Sequence, residues 1–239
     1  MIMTLLEDLN SGVDNILKTP LDIRNGRIVP SSEDIALANG GSRFYGTILY
    51  ADLAQSSQLA TEFQQRTAAK VIKSFLLCCT KIITEHDGTV TSFDGDRVMG
   101  IFIDDSKNTN AVKTALKINY VVQKIIEPKV KTYFSSMRET SYEISHAVGI
   151  DTGVILAVRA GQRGSNDLIW VGRSPNFAAN LSEIRESNYR SFISDDVFKS
   201  LNESAKKGGT DNNDMWEQRS HKWLGISWTV YRSSWWWKP

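Results

Sequence analysis

The chain of 239 residues is long enough to bury a sizeable core without disulfides or metal ions as staples. Its 28 Lys and Arg residues nearly balance its 27 Asp and Glu residues, which leaves a formal net charge of +1. This balance argues against a general nucleic-acid-binding surface, whereas a small anionic ligand needs only a local cluster of basic groups. We therefore expect one α/β domain without a nucleic-acid partner.

The two cysteines, Cys78 and Cys79, are adjacent in a segment with helical periodicity, so their side chains point to different faces and bridge poorly. This pattern indicates reduced thiols. We find neither a charged leader with an apolar core and cleavage site nor a long apolar run of membrane-spanning length. We expect a cytoplasmic protein without direct membrane contact.

Residues 1–42 form a predicted N-terminal segment. Apolar residues recur at helical spacing from Leu5 to Leu17, and Pro20 ends the pattern. Residues 20–42 carry prolines, a Ser-Ser pair and a Gly-Gly pair, which indicate an irregular connector. The segment therefore predicts an amphipathic helix that needs a partner surface.

Residues 43–232 alternate strand and helix patterns, which favours an α/β or α+β fold with helices packed on a mixed sheet. Residues 233–239 form a Trp-rich tail, for which we expect a role as a hydrophobic cap or dimer contact. Residues 203–214 are predicted to be a mobile loop. In chain order, the patterns predict a strand at 43–51, one long helix at 58–86, a hairpin at 93–102, a helix at 108–136 that Pro128 can interrupt, a hairpin of strands 144–150 and 154–158, a strand at 168–171 and a short helix through Arg185.

Two aspartates stand at the ends of apolar strand patterns. Asp52 ends the run at residues 47–52, and Asp96 follows an Asp-Gly pair that indicates a hairpin turn. If the hairpin lies beside the strand that ends at Asp52, both carboxylates project from one end of a sheet. Hard oxygen ligands placed there can hold divalent cations against a triphosphate. Taken singly, an aspartate at a strand end is more often a turn former or a helix cap.

Four further stretches occur in a fixed order: ILYADL at 48–53, DGDRVMGIF at 94–102, VGIDTGVILA at 148–157 and VGRSPNFAANL at 171–181. Together they resemble the motifs of the class III nucleotidyl cyclases. With Tyr50 and Arg97 beside the aspartates, the chain resembles most the bacterial pyrimidine cyclases of the Pycsar antiphage systems, which are small members of this fold. The resemblance implies a mixed β-sheet flanked by helices with a ferredoxin-like core.

The resemblance also implies a reaction and its cofactors. The ribose 3′-hydroxyl of a nucleoside triphosphate attacks its own α-phosphate, and pyrophosphate leaves. Asp52 and Asp96 would bind two divalent cations, Mn²⁺ or Mg²⁺, that assist this step. Backbone groups at the start of the next helix would bind the phosphates. These groups belong to Leu53, Ala54, Gln55 and Ser56.

Two asparagines are the expected catalytic residues of the fourth stretch. Asn176 matches the family residue that holds the ribose and orients the attacking hydroxyl, although an ordinary polar residue at a helix start would look the same. Four residues later the family places an Arg that stabilises charge on the α-phosphate, and this chain has Asn180. An Asn can donate hydrogen bonds but has no positive charge. Candidate substitutes for the missing charge are Arg173, Arg185 and Lys222.

Near the C-terminus, Leu224 stands where the family has a phosphate-binding Lys. Lys222 points the same way along a strand, so it is expected to bind substrate or to be a solvated surface lysine. His86, His146 and His221 show no metal-ligand spacing, and we expect no chemistry from them.

The resemblance gives little support to adenine recognition, because Ser92 and Ile169 replace the usual Lys and Asp of adenylate cyclases. Tyr50 and Arg97 can instead form a smaller pocket, in which Arg97 donates hydrogen bonds to pyrimidine carbonyl groups. The alternative is that Tyr50 belongs to the core and Arg97 to the surface.

The leading hypothesis is a uridylate cyclase that converts UTP to 3′,5′-cyclic UMP and pyrophosphate, with a cytidylate or adenylate cyclase as the alternative. Family sites lie between two subunits, so a homodimer is implied. Its product would act on a separate effector protein in antiphage defence. Asn180 and Leu224 favour a different alternative, an inactive nucleotide-binding homologue. A diguanylate cyclase or polymerase-palm relative ranks last, because residues 93–97 lack the expected Gly-Gly-Asp/Glu-Glu-Phe turn.

Overall fold

The computed structural model describes residues 3–239, and these residues form two compact units. One unit contains the chain up to Tyr45 together with Val154–Arg173, and the other contains Gly46–Gly153 and Ser174–Pro239. The first two residues of the predicted 1–42 segment lie outside the described residues. None of the helices within residues 3–239 combines the length and apolarity needed to cross a membrane.

Helices and strands alternate along most of the described chain. The helices are α1 (Leu5–Lys18), α2 (Ser56–Glu62), α3 (Gln65–Glu85), α4 (Lys107–Val121), α5 (Glu127–Tyr133), α6 (Ser135–Arg138), α7 (Arg173–Ser182), α8 (Asp195–Lys199) and α9 (Glu203–Lys206), with a 3₁₀ turn at Ser32–Asp34 and a π-helical turn at Val122–Ile126. The strands are β1 (Asp22–Asn25), β2 (Gly40–Leu53), β3 (Thr89–Asp94), β4 (Arg97–Phe102), β5 (His146–Gln162), β6 (Ser165–Val171), β7 (Ser191–Ser194), β8 (Lys207–Gly208), β9 (Asn213–Asp214), β10 (Glu217–Trp223) and β11 (Ile226–Ser233).

The first unit contains the predicted amphipathic helix. Helix α1 begins at a capping box, in which the Thr4 side chain accepts from the Glu7 N–H while Glu7 accepts from the Thr4 backbone. Its apolar residues stay exposed, as Leu5 and Leu17 show at 73% and 78% exposure. The predicted irregular connector is partly wrong, because β1 pairs in parallel with the first residues of β2.

The second unit holds a mixed sheet with the strand order β10, β11, β7, β5, β2, β4, β3. Strands β2 and β4 are antiparallel, whereas β5 and β7 are parallel. Leu49 and Ala51 of β2 are fully buried in a core that α3 and α4 also line. Asp52 on β2 and Asp96 in the turn between β3 and β4 therefore belong to three strands that are consecutive at one side of this sheet.

The predicted helix over residues 58–86 is two helices. Phe63 and Gln64 adopt extended or non-helical backbone angles between α2 and α3. The break allows the Phe63 ring to pack edge-on against Tyr142, with 5.4 Å between the ring centroids. Tertiary packing at this position outweighs the local helical periodicity.

In the helical region 108–136, Pro128 does not end the helix. Pro128 lies in the first turn of α5, where its missing N–H costs little. The irregularity comes just before it, because the N–H of Glu127 donates to Val122 five residues earlier and forms a π-helical turn.

The predicted hairpin through Asp151-Thr152-Gly153 is wrong, because β5 is one continuous strand from His146 to Gln162. Asp151 and Thr152 are buried, and the Thr152 hydroxyl donates to the Gly46 carbonyl at 3.1 Å. Because a polar side chain at this position finds a hydrogen-bond partner inside the sheet, the strand can continue where the sequence indicates a turn.

The predicted mobile loop at 203–214 is also wrong, because it contains α9 and the β8–β9 hairpin. The Trp216 indole anchors this region by donating to the Ala205 carbonyl at 2.8 Å. In the tail, Trp235 and Trp237 pack against the core, and the Trp237 N–H donates to the Leu116 carbonyl. The tail therefore caps the core of the second unit.

Candidate active site

The two predicted metal aspartates lie at neighbouring strand ends. Asp52 is the penultimate residue of β2, and its Cα is paired with that of Arg97 at the start of β4. Asp96 occupies the two-residue turn between β3 and β4 beside Gly95, whose φ of +60° suits a tight hairpin turn. The structure thus brings both carboxylates to one end of the sheet.

Asp52 is 8% exposed and lies between two guanidinium groups. Its Oδ2 is 2.6 Å from Arg185 Nη2, and its Oδ1 is 3.8 Å from Arg97 Nε. Burial raises the pKa of Asp52, the hydrogen bond and charge of Arg185 oppose this rise, and the negative charge of Asp96 adds to it. Asp96 immediately precedes Arg97, the Cα partner of Asp52, so the two carboxylates belong to neighbouring positions.

The residues at this position fit a divalent cation. Within the described part of the chain, Asp96 Oδ2 is buried and has no hydrogen-bond partner. A carboxylate oxygen without a partner is costly when buried and is a suitable ligand for a hard cation. Residues 3–239 contain no group of three or more His, Cys, Asp and Glu residues placed to hold a metal ion. Two carboxylates suffice for cations that are completed by substrate phosphates.

Tyr50 and Arg97, the predicted base-selecting residues, are brought together. The Arg97 guanidinium carbon lies 5.9 Å from the centroid of the Tyr50 ring, within cation–π range. Arg97 Nη1 is also 3.4 Å from Glu183 Oε1. Burial raises the pKa of the Tyr50 hydroxyl, so it stays protonated and can donate a hydrogen bond at neutral pH. Both residues therefore border Asp52.

The predicted phosphate-binding segment differs in exposure along its length. The Ala54 N–H donates to the Ser145 carbonyl at 2.8 Å. Leu53 and Ala54 are each 2% exposed, whereas Gln55 has a left-handed backbone (φ 58°) and turns the chain into α2 at Ser56. The accessible part of the segment is therefore Gln55 and Ser56.

The sequence did not indicate two of the neighbours found here. The Tyr142 hydroxyl donates to the Gln55 carbonyl at 3.3 Å. Burial, with the charges of Asp96 and Glu62, raises the pKa of Tyr142 to about 12. Glu183 is the other, since it pairs with Arg97. No local motif surrounds either residue, and only the fold brings them to the site.

The predicted asparagines both lie on α7. Asn176 is exposed and Asn180 is half-buried, and Asn180 Oδ1 is 2.8 Å from His221 Nε2 on β10. Asn180 thus bonds to β10, whereas Glu183 and Arg185, which follow α7 in the chain, contact Arg97 and Asp52.

The other predicted phosphate ligands are dispersed. Lys222 is exposed on β10, and Leu224 is 77% exposed with a φ of 50° in the turn that follows. Arg173 is the first residue of α7. Arg185, another candidate substitute for the missing positive charge, contacts Asp52 directly.

Comparisons with known proteins identify close relatives over the full length, although no family model matches this chain. A uridylate cyclase from Rhodovulum sp. is 41% identical over 237 residues, which cover 99% of each chain. Uridylate cyclases from Xanthomonas perforans and Burkholderia cepacia are each 36% identical over 237 residues, covering 99% and 98% of this chain and 99% of each relative.

Solved cyclase structures share the fold. The guanylyl cyclase Cya2 matches with a TM-score of 0.68 and 17% identity, covering 83% of this chain and 96% of that chain. The adenylyl cyclase CyaB from P. aeruginosa matches with a TM-score of 0.64 and 18% identity, covering 81% and 95%. The predicted class III cyclase-like fold, a mixed sheet flanked by helices, is confirmed. Because relatives at 36–41% identity match almost the whole chain, this protein is a nucleotide cyclase and belongs to the uridylate cyclase family.

Proposed function

We propose that this cyclase converts UTP to 3′,5′-cyclic UMP and pyrophosphate. The observation that carries the proposal is the arrangement of Asp52 and Asp96 beside Tyr50 and Arg97 at one end of the sheet. The similarity to the uridylate cyclase from Rhodovulum sp., at 41% identity, supports the same substrate.

Asp52 and Asp96 would hold two divalent cations, Mn²⁺ or Mg²⁺. When bound, such cations lower the pKa of the ribose 3′-hydroxyl and neutralise charge on the triphosphate. The protein itself supplies two guanidinium groups at the same place, from Arg97 and Arg185. Arg185 is our candidate for the positive charge that Asn180 lacks, because it already lies against Asp52 in the same chain.

In this proposal, Tyr50 and Arg97 recognise the base of the nucleoside triphosphate. Arg97 offers only hydrogen-bond donors, which suit the O4 carbonyl of uracil and not the N4 amino group of cytosine. The half-buried Tyr50 ring beside it narrows the space for a base. These two properties favour UTP, with CTP as the closest competitor and ATP less favoured.

A homodimer with shared active sites completes the proposal. Asn180 is hydrogen-bonded to His221 on β10, and in this dimer the asparagines of one copy would meet the aspartates of the other. A two-fold dimer gives two equivalent sites, each with Asp52 and Asp96 from one chain and Asn176 from the other. The exposed apolar face of α1 offers additional dimer surface. The cyclic nucleotide would act on a separate effector protein in antiphage defence.

The substrate assignment is tested by incubating the purified protein with UTP, CTP, ATP and GTP separately, each with Mn²⁺, and resolving the products by chromatography and mass spectrometry. We expect cyclic UMP as the main product and much less cyclic CMP. Preferential release of another cyclic nucleotide would contradict the assignment of UTP, and an Arg97→Ala variant with unchanged preference would contradict the role of Arg97.

A further inference from the structure

His221 is fixed within an aromatic cluster on one side of the second unit. Its ring centroid is 6.3 Å from that of Phe177, which is fully buried on α7. Phe177 also contacts Trp223 and Trp228, with centroid distances of 4.9 Å and 5.2 Å. Strands β10 and β11 pair the backbone of His221 with that of Trp228. The imidazole therefore lies against the Phe177 ring at one side of this cluster.

The imidazole is directed at the side-chain amide of Asn180. His221 Nε2 lies 2.8 Å from Asn180 Oδ1, so the nitrogen donates and the amide oxygen accepts. Burial lowers the pKa of His221, and the charge of Glu186 opposes this effect. A neutral ring with its proton on Nε2 satisfies the contact at neutral pH.

Fixing the oxygen of a primary amide also fixes its nitrogen. The amide is planar, so the NH₂ group of Asn180 lies on the side of the amide away from the oxygen, where it offers two hydrogen-bond donors. An amide that rotated by half a turn would present its oxygen there instead, and an oxygen would repel a phosphate. Asn176 and Asn180 are four residues apart on α7 and share one face of the helix.

We propose that His221 is a positioning residue of the cyclase, which holds the Asn180 amide so that its NH₂ group faces the triphosphate. This inference rests on the proposed function, because it places Asn180 at the substrate phosphates. It assigns a role to a histidine whose sequence spacing indicates none. The pair supplies oriented donors without charge, which is consistent with Arg185 supplying the positive charge.

The test uses three single variants and a double-mutant cycle in the full chain. His221→Phe keeps an aromatic ring in the cluster but removes the donor, and we expect kcat to fall about tenfold with little change in KM, as for the loss of one oriented hydrogen bond. His221→Gln restores a donor and should recover most of kcat. Trp223→Phe, which changes the packing on Phe177 but not the hydrogen bond, should stay within about twofold of the original kcat.

The cycle combines His221→Phe with Asn180→Ala. If His221 acts through Asn180, the double variant has the same kcat as Asn180→Ala alone. Independent, multiplicative losses would overturn the inference, and so would an unchanged kcat in His221→Phe. If His221→Phe fails to fold, a His221→Gln variant as slow as Asn180→Ala overturns it, and one close to the original rate supports it. The kcat of each variant is compared with that of the unmodified enzyme, using whichever triphosphate the unmodified enzyme cyclises. A wrong assignment of UTP is then detected separately, from the identity of the product.

Discussion

Arg185 has two opposite effects on Asp52. Its guanidinium stabilises the ionised carboxylate that a cation needs, because the hydrogen bond at 2.6 Å lowers the pKa that burial raises. It also occupies a carboxylate oxygen that a cation would use. A residue in this position affects both the charge state of the site and the access of cations to it.

Replacement of Arg185 by Ala should therefore lower kcat by about ten- to a hundredfold, because the positive charge of the guanidinium near the triphosphate is lost. The pKa of Asp52 should rise further, so the acidic limb of the pH–rate profile should move to higher pH. Arg185→Lys keeps a positive charge, so its kcat should lie between that of the original protein and that of Arg185→Ala. Steady-state rates measured across pH test this, and an unchanged acidic limb in Arg185→Ala would contradict it.

His146 should make the fold sensitive to acid. Burial lowers the pKa of its imidazole to about 3, and neither ring nitrogen has a hydrogen-bond partner among the described residues. The unfolded state then binds a proton that the folded state does not, so stability is full above the ordinary histidine pKa and falls as the pH drops below it. Between pH 7 and 5 the loss should be about 2 kcal/mol.

Urea unfolding at pH 7 and pH 5 measures this loss, and a His146→Leu variant provides the comparison. The free energy of unfolding of His146→Leu should decline less between pH 7 and pH 5 than that of the original protein. The difference between the two declines measures the contribution of His146. An equal decline in both proteins would show that His146 is not responsible.

Asp52 and Asp96 could be predicted from the sequence because their positions depend on local signals, a strand end and an Asp-Gly turn. Arg185 was only one of three candidates, since 133 residues separate it from Asp52. Tyr142 and Glu183 carried no signal. Contacts of this kind depend on how the sheet is assembled, which periodicity does not encode.

At the scale of elements, the sequence predicted most of the strands and helices but misplaced several boundaries. The sequence around Gly153 resembles a turn, yet β5 continues through it. The Thr152 hydroxyl is hydrogen-bonded to the Gly46 carbonyl of β2, so it needs no partner outside the sheet. The break between α2 and α3 escaped detection because the apolar pattern continues across Phe63, which packs on Tyr142. In both cases a tertiary contact decided the local conformation.

The C-terminal tail offers a test at this scale, because adjacent tryptophans differ in their environment. Trp235 packs against the core, and its carbonyl accepts from the Asn119 side chain at 2.9 Å, whereas Trp236 is 43% exposed. Trp235→Ala should lower the free energy of unfolding by about 2 kcal/mol, and Trp236→Ala by about half of that or less. Chemical unfolding of both variants measures the difference, and equal losses would contradict a capping role.

At the scale of the whole molecule, the proposed dimer divides the site between two chains. Asp52 lies near the end of β2, and Asn180 is hydrogen-bonded to His221 on the edge strand β10. In this proposal a complete site requires two chains, and the dimer would be part of the catalytic mechanism.

Mixing two inactive variants tests this arrangement. Asp52→Asn and Asn176→Ala should each be nearly inactive alone, and an equal mixture allowed to exchange subunits should regain roughly a quarter of the original activity, because half of the dimers then carry one intact site. Two copies of either single variant cannot rebuild a site. No recovery after verified subunit exchange would place both groups in one chain.

The measurement that tests the proposed active site most directly compares two aspartates of one hairpin. Asp96→Asn removes the carboxylate with the unpartnered oxygen, and Asp94→Asn changes an exposed residue two positions earlier. With UTP and Mn²⁺, we expect cyclic UMP formation to fall by about a thousandfold in Asp96→Asn and to stay within about threefold in Asp94→Asn, with both proteins folded. Cyclic UMP formation that persists in Asp96→Asn would contradict the proposed site.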